Sequence, residues 1–193
     1  AATEALERTD AVVTDVGSVK GVVAASVDDP RFVAGHPMAG SEQDGVAGAD
    51  PSMFEGAVWV LTPGPTTAPE SQALVHSVVS SLGADVLTLG ADEHDQLVAM
   101  VSHVPHLTAA ALMRMATERA TEHGAVLRLA AGGFRDMTRV AAGRSSTWPD
   151  ICAENRAAIV AVLDDLVTEL GAVRDQVARA DRPALLDGLE AAR

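Results

Sequence analysis

Basic residues, cysteine and long apolar runs are all scarce in this chain of 193 residues. Only 14 Lys and Arg stand against 27 Asp and Glu, a formal net charge of −13. Such a surface repels phosphate backbones and anionic headgroups, so neither nucleic acid nor a membrane is expected as a partner. The one cysteine, Cys152, has no second thiol to pair with. With no apolar run of about 18 residues and no basic-then-apolar leader, this argues for a reducing, cytoplasmic setting. The first residue is Ala1 rather than methionine, which hints at an amino end that was trimmed or not included. The fingerprint G-x-G-x-x-G occurs nowhere, and Gly35 to Gly40 spells G-x-x-x-x-G but continues Ser41-Glu42 without a lysine, so it is not a phosphate loop. No histidine, cysteine and carboxylate set has usual metal-ligand spacing, and no metal is expected.

What is present suffices for a core: 48% of the residues are apolar. Ala11-Val12-Val13-Thr14 is a β-branched run that stops at Asp15-Val16-Gly17-Ser18, which reads as a buried strand, a tight turn and a helix over 19–27. Further strands are predicted over 31–35, 57–62 and 84–89, with a helix over 68–82 after the Pro63-Gly64-Pro65 stop. Strands alternating with helices imply a largely parallel, doubly wound sheet. After Gly90 the β-branched runs end and only helical spacing remains. Leu97, Val101, Val104, Leu107 and Ala111 fall three or four apart, with Pro105 tolerated if Ser102 caps a new helix. Thr147-Trp148-Pro149-Asp150 reads as a capping box opening the longest helix. Within it, Val162, Leu166, Leu170, Val173 and Val177 form a stripe that Ile159, Leu163 and Val167 widen to nearly half the circumference. So wide a stripe needs two neighbours, either packing within one domain or a subunit interface. The fold class is thus α/β plus all-α.

In open α/β sheets ligands bind beyond the carboxyl ends of strands, where Asp15-Val16-Gly17-Ser18 and Gly35-His36-Pro37 both fall. Neighbouring strands would bring Ser18 and His36 together. His36 is then either a structural hydrogen-bonder or a proton acceptor whose tautomer a hydroxyl can fix. His103 and His106 lie three apart at a proposed helix start, where free N–H groups favour a carboxylate. Arg135 and Arg139, four apart, could each grip a carboxylate with two hydrogen bonds or form a surface ion pair. Asp136 could orient either arginine or a histidine, or be merely solvated. His76, His94 and His123 read as solvated, Cys152 as a small buried filler, and the methionines as core.

Taken together, Asp15-Val16-Gly17-Ser18-Val19-Lys20-Gly21, the Gly35-His36-Pro37-Met38-Ala39-Gly40 and Ser102-His103-Val104-Pro105-His106 blocks, Gly133-Phe134-Arg135-Asp136-Met137-Thr138-Arg139, and Trp148-Pro149-Asp150-Ile151 with Asn155 resemble the signature of the prephenate dehydrogenase family. The match runs over residues 15–155. The resemblance implies an oxidoreductase of tyrosine biosynthesis that converts prephenate to 4-hydroxyphenylpyruvate by oxidative decarboxylation, with hydride transfer to NAD or NADP. By the same resemblance His36 accepts the proton of the ring hydroxyl and Ser18 orients both. Arg139 holds a substrate carboxylate, His106, Ser41 and Ser102 add contacts, and Trp148 and Asp136 shape the pocket. Asp15, Gly17 and Ser18 fall at the cofactor. The implied architecture is the C-terminal half of a Rossmann-like nucleotide-binding domain over 1–90, then an all-helical substrate-binding domain over 91–193 through which two copies form a homodimer. The family's glycine-rich turn normally precedes Asp15 by many residues, so the chain is expected to lack that N-terminal part. Two other readings stay open: arogenate as the substrate, or a truncated, non-catalytic helical dimer that binds the substrate only.

Overall fold

The apolar segments of the first half pair into one sheet. The computed structural model describes residues 2–40 and 45–193. Helix α1 (Ala2–Arg8) precedes β1 (Val13–Thr14), and α2 (Gly21–Ser26) leads into β2 (Phe32–Pro37). Strand β3 (Val58–Thr62), helix α3 (Pro69–Ser81) and strand β4 (Asp85–Thr88) follow. The strand order is β1-β2-β3-β4, with β1 parallel to β2, β3 parallel to β4, and β2 antiparallel to β3. The sheet is therefore mixed, where strand–helix alternation implied a largely parallel one. The connections explain it: α2 and α3 are helical crossovers, whereas residues 38–57 carry only a 3-10 turn (Val46–Gly48) among the described residues and return the chain antiparallel.

Side chains on β2 alternate between two covered faces. Val33 packs with Trp59, Leu61 and the α3 residues Val75 and Val79. Phe32 and Ala34 pack on the other face with Leu6 of α1 and Val23 of α2. Helices thus cover both sides, and the run Phe32–His36 is buried throughout, as a strand covered on both faces requires. By period-two alternation His36 shares the face of Phe32 and Ala34.

Beyond Gly90 every described element is helical. Helix α4 (Ala91–Val98) continues through a π-helical segment (Ala99–His103) into α5 (Val104–Glu122). Then come α6 (Ala125–Arg128), α7 (Gly132–Thr138), 3-10 turns at Arg139–Ala142 and Ser145–Thr147, α8 (Trp148–Glu154), α9 (Arg156–Ala178) and α10 (Arg182–Ala191). Ser102 does not cap a new helix: it lies inside one continuous 32-residue helix, Ala91–Glu122. Pro105 has no N–H for the residue four before it, and its ring would collide with that carbonyl; the widened π turn lies just where this bond would fall. By length and composition this helix would pass as one that crosses a bilayer, yet it turns His94, Asp95 and His103 into the protein interior.

The π turn also rotates the helix face. The buried residues are His94, Asp95, Val98, Ala99, His103, Val104 and Ala109, while Leu97 and Val101, expected in the core stripe, are 48% and 66% exposed. Thr147 makes no side-chain cap to α8; its hydroxyl donates to the Arg144 carbonyl at 3.3 Å. Helix α9, 23 residues long, starts only after a break at Asn155, and the continuous Ala91–Glu122 helix is longer. The core of this part joins Ala99, Val104 and Ile159 with Leu107, Cys152 and Val162.

Candidate active site

Two short turns are clamped together where β1 and β2 end. Asp15 Oδ1 accepts the Gly35 N–H at 3.0 Å and Oδ2 accepts the Gly17 N–H at 2.9 Å. The ammonium of Lys20 pairs with the same carboxylate and donates to the Gly35 carbonyl at 2.7 Å. Lys20 is wholly buried, and burial lowers its pKa against the opposing pull of Asp15. Gly35 permits this closeness, since a Cβ there would stand 2.9 Å from Trp59 Nε1 and 3.1 Å from the Asp15 carbonyl. The carboxylate of Asp15 thus acts as a bracket. Exposed Val16 and Gly17 and half-buried Ser18 form the surface beyond β1.

His36 is 9% exposed, and its Nδ1 lies 2.8 Å from Nε2 of His94. The Ser18 hydroxyl, expected to orient this ring, makes no hydrogen bond to it among the described residues. His94 does so instead, and it is fully buried on α4 rather than solvated. Its Nδ1 lies 2.8 Å from Asp95 Oδ1. Asp95 also accepts the Lys20 and Gly21 N–H groups, each at 2.8 Å. Burial pushes the Asp95 pKa up, but the hydrogen bonds from His94, Lys20 and Gly21 outweigh it and leave the carboxyl below its ordinary value. Burial first, then the charges of His94, Lys20 and His103, lower the pKa of His36 from 6.5 to about 4.

A second cluster lies along α5 and α8. The ring of His106 stacks on Trp148 with centroids 3.6 Å apart and planes 10° from parallel, while His103 meets the same indole edge-on at 6.0 Å. Burial lowers the pKa of both histidines. Asn155, at the break between α8 and α9, donates to the Asp95 carbonyl at 2.7 Å and lies 3.2 Å from His103 Nδ1. It ties the two clusters into one. Ser102 is half-buried in the π turn. Arg139 is exposed at the start of its 3-10 turn and lines a cavity of about 640 Å³ with Met113, Phe134, Arg135, Asp136 and Thr138. That cavity includes none of His36, Ser18, His106 or Trp148. The same turn ends beside His106, where a Cβ on Gly143 would stand 4.0 Å from Cε1. Ser41 lies outside the described residues.

Sequence reasoning missed His94, Asp95 and Lys20. For His94 the available signal was helical spacing: His94, Val98 and Ser102 follow at four-residue intervals, a stripe beside the apolar one.

A mixed, helix-covered sheet with buried imidazoles at its carboxyl end, joined to a helical bundle, defines a two-part protein of the nucleotide-binding α/β class. Residues 2–88 match the nucleotide-binding domain of prephenate dehydrogenase and residues 90–191 its dimerization domain. The chain belongs to the prephenate dehydrogenase family. It is 35% identical over 175 residues to the prephenate dehydrogenase of Bacillus subtilis, an alignment covering 88% of this chain and 47% of that protein. Its structure is similar to Aquifex aeolicus prephenate dehydrogenase in complex with hydroxyphenyl propionate and NAD+ (TM-score 0.88, 32% identity, 95% of this chain and 65% of that one). Synechocystis arogenate dehydrogenase is similar at TM-score 0.74 and 33% identity, covering 93% of this chain and 66% of that one. The chain spans about half the length of the curated relatives it matches.

Proposed function

We propose that this chain takes part in the oxidative decarboxylation of prephenate to 4-hydroxyphenylpyruvate, with NAD or NADP as hydride acceptor. The observation that carries this reading is the buried His36 at the carboxyl end of β2. Its pKa near 4 makes it a neutral proton acceptor at pH 7. The turn after β1 fits the reactive end of a nicotinamide cofactor: Val16 offers exposed apolar surface, Gly17 has no Cβ to hold a ring away, and Ser18 adds a hydroxyl. Bound there, the nicotinamide supplies the hydride acceptor. Asp15 braces this turn from behind, and Gly17 and Ser18 contact the ligand.

His36 takes the proton of the ring hydroxyl while hydride leaves the same carbon, and the ring carboxylate departs as carbon dioxide. The ring becomes aromatic, so the reaction needs neither a metal nor a covalent nucleophile. Arg139 holds a substrate carboxylate, and His106, Ser102, Ser41 and Trp148 complete the pocket, with Trp148 stacked behind His106. The division falls near residue 90, between a nucleotide-binding part and a helical part that pairs with a second copy. Exposed Leu170, Val173 and Val177, and a groove of about 430 Å³ that includes Met100, Pro105, Leu112 and Leu166, support that homodimer. The setting is cytoplasmic, in keeping with the free thiol of Cys152.

The test is absorbance of reduced nicotinamide when the purified chain meets prephenate and either cofactor. A rise is expected, and no rise at any cofactor concentration removes the reading. The likeness to an arogenate dehydrogenase favours a second reading, which a faster rate with arogenate would establish.

A further inference from the structure

We propose that His94 and Asp95 are positioning residues that lock His36 as its Nδ1–H tautomer, so that Nε2 is the atom that takes the proton. The inference rests on the reading of His36 as the proton acceptor and names what prepares it.

The assignment follows from counting donors. Asp95 already accepts two backbone N–H groups, from Lys20 and Gly21, and its carboxyl is held below its ordinary pKa. An ionised carboxylate only accepts, so the His94 nitrogen 2.8 Å away, Nδ1, carries a hydrogen. With His94 as a neutral imidazole, the state this proposal assigns to it in the resting protein, that ring has one N–H, which leaves His94 Nε2 bare. The atom 2.8 Å from that bare nitrogen is His36 Nδ1. Two lone pairs cannot share such a distance, so His36 Nδ1 donates. His36 is itself neutral, and its Nε2 is therefore the free lone pair. The rings meet edge to face, 69° apart with centroids at 5.1 Å, consistent with a hydrogen bond leaving one ring in its own plane.

When Nε2 takes a proton, the new positive charge is met through His94 by the Asp95 carboxylate. No second proton has to move. The other groups acting on His36 are Lys20 and His103, which oppose its protonation, and Asp15, which favours it. With His94 neutral, the opposite tautomer would set bare His94 Nδ1 against the carboxylate, an unpaired contact in a fully buried place.

The tautomers are readable in the full chain, without cofactor or substrate, from two-bond proton–nitrogen correlations of 15N-labelled histidines. At pH 7 His36 is expected to show a protonated Nδ1 and a bare Nε2. Asp95→Asn can turn its amide N–H toward His94 Nδ1 and reverse the order along the chain, shifting His36 toward Nε2–H. His94→Phe keeps a ring in the space without a nitrogen and should let both His36 tautomers populate; it serves if Asp95→Asn fails to fold. Turnover with prephenate should fall by about tenfold or more in Asp95→Asn, with KM within about twofold, as expected for a wrongly set base. An Nε2–H His36 in the unaltered chain overturns the proposal, as does an unchanged His36 tautomer in a folded variant of either kind. Absence of prephenate turnover in the unaltered chain counts against the proposed function alone, since the tautomer readout stands without it.

Discussion

The centre of the sheet half is apolar, whereas the helix that opens the helical half buries polar residues among its apolar ones. Around β2 and β3 the interior is Val33, Trp59, Leu61, Val75 and Val79, an apolar core that the half closes for itself. Along Ala91–Glu122 the buried positions include His94, Asp95 and His103, while Leu97, Met100 and Val101 face outward. The helix at the junction buries both kinds, His94, Asp95 and His103 beside Val98, Ala99 and Val104, and still leaves large apolar side chains outside. An interior of linked imidazoles and carboxylates weakens packing unless it performs chemistry, and an apolar exterior costs solubility unless something covers it. The contrast therefore assigns a task to each face.

The largest effect expected is on stability, at the clamp where the polar interior meets the sheet. Lys20→Met keeps the stem volume but removes the buried cation from Asp15 and the Gly35 carbonyl. Breaking a buried pair in this way should cost about 3 kcal/mol, read as a shift of the urea midpoint. That is the range of Leu61→Ala in the apolar core, about 2–5 kcal/mol. A cost for Lys20→Met below about 1 kcal/mol would mean that the buried cation contributes little to holding the ends of β1 and β2 together, and the contrast would lose its structural side.

His36→Asn probes the chemical side, and turnover with prephenate should drop about 100-fold with little change in binding. The same variant has a pH signature. In the unfolded chain the imidazole takes a proton near its ordinary pKa of 6.5, but in the folded chain only near 4. Between those values the unfolded state binds the extra proton, so stability falls as pH drops from about 6.5 to about 4, and this contribution is flat outside the window. His36→Asn should lose that part of the slope. An unchanged acid limb in the variant would show that the imidazole is not held neutral by its surroundings.

Legibility followed the same division. The strands of the sheet half were readable because β-branched runs end at glycine, proline and aspartate, and the observed elements fall within a few residues of the expected ones. Strand direction was not, since residues 38–57 give no local sign of whether the chain crosses over or turns back. In the helical half the apolar stripe of Leu97, Val101, Val104 and Leu107 pointed to a core, and the structure buries Val104 and packs Leu107 against the core but turns Leu97 and Val101 outward. A period count records where apolar residues recur, not which side a partner will cover, and the π turn before Pro105 shifts the phase in mid-helix. His36, His106 and Trp148 could be named as candidates from local motifs. The link from His36 through His94 and Asp95 to the start of α2 spans residues far apart in the chain, and no spacing encodes it.

The smallest effect on the fold, and the sharpest test of the outward face, comes from α9. Leu170 and Val173 lie one turn apart and are exposed in the single chain. Replacing both with Asp should change monomer stability by no more than about 0.5 kcal/mol, because neither packs against the core of its own copy. A carboxylate pressed into an apolar interface has no water and no partner, so the pair should convert a dimer into a monomer in sedimentation equilibrium while helical circular dichroism is kept. A dimer that survives both substitutions would move the contact to another part of the helical half. An unaltered chain that already sediments as a monomer would leave the exposed apolar residues of Ala91–Glu122 and α9 without a covering copy, and they would then need an occupant of a different kind.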